Sequence, residues 1–283
     1  MKKITVISGK GGTGKTSIAG SFAVLADSEA VMVDGDVDAA NLSLIMEHKL
    51  IEEHEFKASS IAKIDPEKCN QCDLCRDLCR FSAISVEHTV DQVACEGCAL
   101  CYHACPSQAV SMEETVSGQW FVSDTPYGIL VHARLGIAEE NSGKLVTTVR
   151  NRAQQLAKEA GKEYVIIDGP PGIGCPVIAS LSGVDLALIV TEPTVSGIHD
   201  LERVVTVCNH FGVPASVCIN RYDLDEKQSA VIARYCHNRG LPLAGRIPFD
   251  RLFVEAMLAG VPVTAFRQGP LSYYIKRIWD HLV

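Results

Sequence analysis

Gly9-Lys10-Gly11-Gly12-Thr13-Gly14-Lys15-Thr16 decides the reading of this chain. The eight residues follow a β-rich run, Lys3-Ile4-Thr5-Val6-Ile7-Ser8, and precede a helix-like stretch from Ser17 to Ala26. The pattern G-x-x-x-x-G-K-[ST] therefore stands between a strand and a helix, the context in which it binds phosphate. Glycines without a Cβ let successive backbone N–H groups turn onto phosphate oxygens, and the N-terminus of the following helix adds its positive dipole end. On this reading Gly11, Gly12, Thr13, Gly14 and Ser17 line the cradle. Lys15 reaches the β- and γ-phosphates, and the Thr16 hydroxyl holds Mg²⁺.

Lys10, just after the first glycine, makes the loop resemble the deviant form K-G-G-x-x-G-K-[ST] of the MinD/ParA and nitrogenase-iron-protein group of ATPases. The resemblance implies ATP as ligand, a nucleotide-dependent homodimer, and contact of Lys10 with nucleotide across the dimer interface. A second short apolar strand, Ala30-Val31-Met32-Val33, runs into Asp34-Gly35-Asp36-Val37-Asp38-Ala39-Ala40-Asn41-Leu42. Carboxylates at a strand's C-terminal end lie on the edge where open α/β sheets bind ligands. Asp34, Asp36, Asn41 and Leu42 match the D-x-D-x-x-x-x-N-L of MinD-type proteins. That match gives Asp36 the task of orienting the attacking water and places it with Thr16 among the Mg²⁺ contacts. Asp38 reads equally well as a further carboxylate of the site or as a bland one, solvated in the loop or capping the helix that follows.

Tyr164-Val165-Ile166-Ile167-Asp168-Gly169-Pro170-Pro171-Gly172 is an apolar strand closed by an aspartate. Downstream of a phosphate loop, Asp168 fits a Walker B group that holds Mg²⁺ directly or through water. The Gly/Pro turn resembles the second switch of the same ATPases, and Gly172 would offer its N–H to a γ-phosphate. Further strand-like runs, Asp185 to Thr191, Ala215 to Asn220 and Leu243 to Ile247, alternate with helical stretches from Gly197 to Phe211 and Glu226 to Arg239. Alternation of this kind predicts an α/β fold, a mostly parallel twisted sheet with helices on both faces. By the same resemblance Asn220-Arg221 and Pro248-Phe249-Asp250 frame the adenine; the alternative is ordinary loop polarity.

From about Glu55 the α/β periodicity stops and cysteines take over. Cys69-x2-Cys72-x2-Cys75-x3-Cys79 is repeated 26 positions later as Cys95-x2-Cys98-x2-Cys101-x3-Cys105, an internal duplication. The spacing is that of a bacterial two-cluster ferredoxin, in which the fourth cysteine of each run serves the other cluster. Carried over, the resemblance gives one [4Fe-4S] cluster to Cys69, Cys72, Cys75 and Cys105, and a second to Cys95, Cys98, Cys101 and Cys79. Zinc is the rival, but zinc ribbons pair two separated C-x2-C knuckles. Arg80 stands where the second repeat has Pro106, which leaves the ligands intact. Cys175 reads as a small buried residue at a helix start, and Cys208, Cys218 and Cys236 as packing residues.

The chain of 283 residues is acidic, with a formal net charge of −8, so a broad basic surface is not expected and nucleic acid is not a predicted partner. Eight acidic against three basic side chains between positions 65 and 113 place most of that excess in the cysteine-rich segment. Such a surface would steer a basic redox partner, or only keep a small domain soluble. Met1-Lys2-Lys3 runs straight into a strand, and no apolar run approaches about 18 residues, so the chain reads as cytoplasmic rather than membrane-bound. Twelve cysteines in that compartment point to metal binding, not disulfides. Residues Pro270 to Val283 form an amphipathic pattern, read as a last helix packed on the sheet rather than a membrane anchor. Gln119 to Ser123 and Gly128 to Ala133 read as a hairpin about Thr125-Pro126-Tyr127, and Asn141-Ser142-Gly143 as a helix start.

The expected organisation is an ATPase domain over 1–57 and 115–283, interrupted over 58–114 by a ferredoxin-like insert. The whole resembles MinD-superfamily ATPases with an inserted ferredoxin domain. That implies an ATP-hydrolysing protein coupling its nucleotide state to electron transfer through two [4Fe-4S] clusters toward a redox or iron–sulfur partner. Two alternatives remain: a cluster carrier of the Mrp type, which uses a C-terminal C-x-x-C absent here, and a MinD-like positioning ATPase.

Overall fold

A computed structural model describes residues 1–136 and 142–283. Asn141, the first of the three residues of the expected helix start, falls outside them. The described strands are β1 (Lys2–Ser8), β2 (Ala30–Asp34), β3 (Lys49–Ile64), β4 (Val110–Thr125), β5 (Gly128–Leu135), β6 (Tyr164–Pro171), β7 (Leu186–Thr191), β8 (Ala215–Asn220) and β9 (Leu243–Ile247). They are hydrogen-bonded in the order β3-β4-β5-β2-β6-β1-β7-β8-β9. From β5 to β9 the recorded pairings are parallel, as the strand–helix alternation predicts. The helices are α1 (Lys15–Leu25), α2 (Leu74–Leu78), α3 (Leu100–Ala104), α4 (Ser142–Glu159), α5 (Cys175–Leu181), α6 (Val195–His210), α7 (Glu226–Asn238), α8 (Leu252–Leu258), α9 (Val263–Phe266) and α10 (Pro270–Leu282).

Residue contacts group the chain into two compact units. The first comprises Met1–His54, Trp120–Arg134 and Ser142–Val283. Its central strands are apolar and buried over most of their length, the pattern of a parallel sheet covered on both sides. Successive strand side chains alternate between faces. On one face Ile4, Val6, Met32, Ile166, Leu188 and Ile247 share a core with Ile18, Phe22 and Ala23 of α1 and with Ile275, Ile278 and Trp279 of α10. Intervening residues such as Val31, Val33, Ile167 and Ile189 are equally buried, where α4, α5 and α6 pack. In α10, Leu271, Ile275, Ile278 and Leu282 recur at helical spacing and are buried; Trp279 meets Phe22 with ring centroids 5.2 Å apart. The last helix therefore packs on the sheet, as its sequence pattern suggests. Cys208, Cys218 and Cys236 are buried packing residues, and burial pushes the Cys218 thiol up to about 12.

Two expectations need correction. Periodic structure does not stop near Glu55, because β3 continues to Ile64; its exposed, polar residues conceal a two-sided strand at the sheet edge. Cys175 is exposed at the first position of α5, because Gly174 before it is open to solvent and the helix buries Val177, Ser180 and Leu181 instead.

The second unit is built chiefly from Glu55–Gln119. It contains α2 and α3, each preceded by a residue in the left-handed region, Asp73 and Ala99, at equivalent places in the two repeats. Among the described residues its buried apolar side chains are Phe56, Ala62, Cys75, Ala83, Ile84, Ala109 and Val110. Larger ones, including Leu74, Leu78, Phe81, Leu100 and Tyr102, are exposed.

Candidate functional site

Within the first unit, a cleft of about 650 Å³ opens at the carboxyl ends of the parallel strands. Gly11, Gly12, Gly14, Lys15, Thr16 and Ser17 line it, together with Asp36, Asp38, Asn41, Pro170, Pro171, Asn220, Arg221 and Asp250. Residues more than two hundred positions apart thus meet because β1, β2, β6, β8 and β9 all end at this edge. The loop is built for close approach. Gly14 has φ +91, a left-handed conformation that ordinary side chains rarely adopt, and a Cβ there would lie 2.5 Å from Asn220 Nδ2. That amide donates to the Thr13 carbonyl at 2.8 Å, fixing the loop to the end of β8.

Three carboxylates stand behind the loop. Asp34 is fully buried and accepts from the Asp36 and Leu42 N–H groups at 3.2 and 2.9 Å, so it shapes the turn after β2. Burial and then the neighbouring Asp168 hold its carboxyl well above the ordinary carboxylate range. Asp36 faces the cleft, and burial raises it against the pull of Lys15. Asp168 is 1% exposed, and neither carboxylate oxygen has a hydrogen-bond partner. Burial pushes it up to about 7, although the Lys15 ammonium and Thr16 hydroxyl pull the other way. Two orphaned buried oxygens beside Thr16 fit a hard divalent cation such as Mg²⁺, which takes oxygen ligands.

Several expected contacts differ in detail. The Gly172 N–H, assigned above to a γ-phosphate, donates instead to the Ser8 carbonyl at 2.8 Å. Pro248 does not line the cleft, whereas Phe249 does. Asp250 lines it while accepting from the Leu252 N–H at 2.9 Å, which starts α8. Lys10 does not line it either: its ammonium lies 3.2 Å from a Glu192 carboxylate oxygen and 3.3 Å from the Thr194 hydroxyl. The other Glu192 oxygen accepts from Arg221. Sequence reasoning missed Glu192; its position one residue past β7, at the ligand-binding strand edge, was the available signal.

Within the second unit the eight repeat cysteines line two cavities. Cys69, Cys72, Cys75 and Cys105 surround one. Cys79, Cys95, Cys98 and Cys101 surround the other. Burial raises the Cys75 thiol, with Cys69 and Cys105 adding to the rise, and burial raises Cys101 with help from Cys95 and Cys98. Each cavity is thus lined by three cysteines of one repeat and the fourth cysteine of the other. Among the described residues no group of three or more His, Cys, Asp or Glu is arranged to hold a single metal ion.

Comparison with known proteins follows these features. The model of the CobQ/CobB/MinD/ParA nucleotide-binding domain matches residues 4–263. An uncharacterized protein of Methanocaldococcus jannaschii is 35% identical over 282 residues, covering 99% of this chain and 96% of its own. The iron–sulfur cluster carrier protein of Pyrococcus horikoshii is 24% identical over 159 residues, covering 50% of this chain and 52% of its own. The septum site-determining protein MinD of the same organism, solved with Mg-ADP, superposes with a TM-score of 0.61 at 18% identity, covering 99% of this chain and 95% of that one. This last likeness establishes the fold, a MinD-like α/β sheet.

Proposed function

The chain belongs to the CobQ/CobB/MinD/ParA nucleotide-binding domain family of MinD/ParA-type P-loop ATPases, and we propose that it hydrolyses Mg-ATP and couples nucleotide state to two iron–sulfur clusters. In the cleft, Gly11, Gly12 and Gly14 present backbone N–H groups to the phosphates, and Lys15 neutralises their charge. Thr16 and Asp168 hold the Mg²⁺, with Asp36 beside them. When bound, the cation offsets charge that develops on the β- and γ-oxygens. Asp36 accepts a hydrogen bond from the attacking water and orients it. Asn220, Arg221 and Asp250 border the base. Supporting this part is the pair of unpartnered, buried Asp168 oxygens next to the phosphate loop.

The cluster part is carried by one observation: the repeat cysteines line two cavities in crossed sets, three from one repeat and the fourth from the other. Four thiols spread around a cavity suit a four-iron cube better than a single zinc ion, which draws its sulfurs to about 2.3 Å. Bound clusters would supply one-electron chemistry, and the nucleotide-driven unit would form a homodimer on ATP. A second reading, delivery of clusters to other proteins, is favoured by the half-length similarity to the iron–sulfur cluster carrier protein.

Anaerobic purification with iron counting and EPR, with and without Mg-ATP, tests both. About eight tightly held irons with an ATP-dependent spectrum support coupling. Ready transfer of iron and sulfide to an apo-ferredoxin supports delivery. Zinc alone, or no metal, rejects the cluster part. A Lys15→Ala variant that retains every ATP response rejects the nucleotide part.

A further inference from the structure

The repeats of the second unit share their ligands but not their surroundings, and apart from Arg80, which stands beside Cys79 where the second repeat has Pro106, the differences named below favour one side. Cys105 and Cys79 hold equivalent positions, each the fourth cysteine of its run. The Cys105 sulfur accepts from the Ala109 N–H at 3.2 Å and lies 3.5 Å from the Ser107 hydroxyl. The Cys79 sulfur meets no donor among the described residues: Phe81 occupies the place of Ser107 and lines the cavity, and the Ala83 N–H, counterpart of that of Ala109, makes no such bond. The same sense holds one position after the first cysteine of each run. Asn70 lines the Cys69 cavity, whereas the exposed Glu96, which makes no ion pair among the described residues, lines the Cys95 cavity. The Cys69 cavity does contain Asp73, but Arg76 and His88 lie 3.2 and 3.1 Å from its carboxylate.

Cluster potential rises with hydrogen bonds to the sulfurs and falls with nearby negative charge and with apolar surroundings. Building on the two-cluster reading above, we infer that the Cys69/Cys72/Cys75/Cys105 set is the higher-potential site and that Ser107 against Phe81 sets the difference. A single electron added to the pair resides on that set, which makes it the exit side toward an acceptor. Reduction of the Cys95/Cys98/Cys101/Cys79 set follows only when a second electron is supplied. The expected preference is at least tenfold, about 59 mV for a one-electron couple.

The test uses the full-length protein, reconstituted without oxygen with ferrous iron and sulfide and assayed first for iron. An EPR-monitored titration with dithionite should resolve two one-electron midpoints. Ser107→Ala should lower only the higher midpoint, and Phe81→Ser should raise only the lower. A Phe81→Leu control, which keeps the site apolar, should move neither. Eight irons with one shared midpoint, or a Ser107→Ala shift confined to the lower wave, would overturn the inference alone. A preparation that takes up no iron would overturn the reading on which it rests, and the inference with it.

Discussion

Glu192 holds two cations at once: Lys10 of the glycine-rich loop at 3.2 Å through one carboxylate oxygen and Arg221 of the cleft through the other. The carboxylate is 12% exposed, so its charge is only partly screened by solvent. An incoming polyanion meets a negative group beside the glycine-rich loop, and Lys10 is already engaged within the protomer. Glu192→Gln is expected to tighten binding of a fluorescent ATP analogue by about threefold to tenfold at low salt. The gain should shrink as ionic strength rises, and equal affinities at low salt would reject the idea.

Asp168 makes the nucleotide-free protein sensitive to pH. Its folded value, raised to about 7, lies above the ordinary 3.8, so the native state binds the extra proton between those values. Stability therefore falls as pH rises through that window and is lowest above it, with Asp34 shifted in the same direction. Asp168→Asn should raise the apparent melting temperature of the apo protein at pH 8, by about 2 kcal/mol in stability, and change it little at pH 4. The same variant should lose stabilisation by Mg-ATP. Thermal melts at the two pH values, with and without Mg-ATP, read both effects.

Gly14 and Asn220 form one mechanical unit. Gly14→Ala must relieve both φ +91 and a 2.5 Å approach to the Asn220 amide, and it should abolish nucleotide binding while leaving the far-UV circular dichroism unchanged. Asn220→Ala leaves the Thr13 carbonyl unsatisfied, a cost of about 1–3 kcal/mol, and should weaken binding about tenfold to a hundredfold by calorimetry.

Phe22 is fully buried and packs on Trp279. Phe22→Ala is expected to cost about 3–5 kcal/mol in urea unfolding and to loosen α10. Trp279 fluorescence should shift to the red before the rest of the molecule unfolds.

The proposed crossed ligation would separate Cys105 from its own repeat. Cys105→Ala should perturb the same EPR signal as Cys69→Ala, and Cys79→Ala the same signal as Cys95→Ala. Pairing within repeats would show Cys105→Ala acting with Cys95→Ala instead.

Much of the first unit is legible in the sequence because its signals are local. The loop from Gly9 to Thr16, the apolar run ending in Asp168, and the strands ending in Asn220 and Ile247 each declare themselves within ten residues. Their convergence needed only the parallel sheet. What stayed hidden depends on partners. β3 escaped because a strand with polar residues on both faces has no period to detect. Phe249, Phe253 and Met257 border the cleft through the placement of α8, which no spacing encodes. Glu192 became visible only once strands distant in sequence lay side by side, and the Ser123–His132 pair, at 3.0 Å, only once the register of the β4–β5 hairpin was fixed. Burial, with His48 adding to it, drives His132 down to about 4, so it stays neutral at physiological pH. Cys175 misled because free cysteine is so often interior.

The meagre interior of the Glu55–Gln119 unit, a handful of small aliphatic groups and Phe56, leaves hydrophobic burial too little to work with. With each proposed cube gripping both halves of the duplication, inorganic bonds would take over the job that a greasy centre does elsewhere. Iron supply would then govern whether this stretch persists in the cell: starved or oxidised molecules would present it, ahead of the sheet, to degrading enzymes.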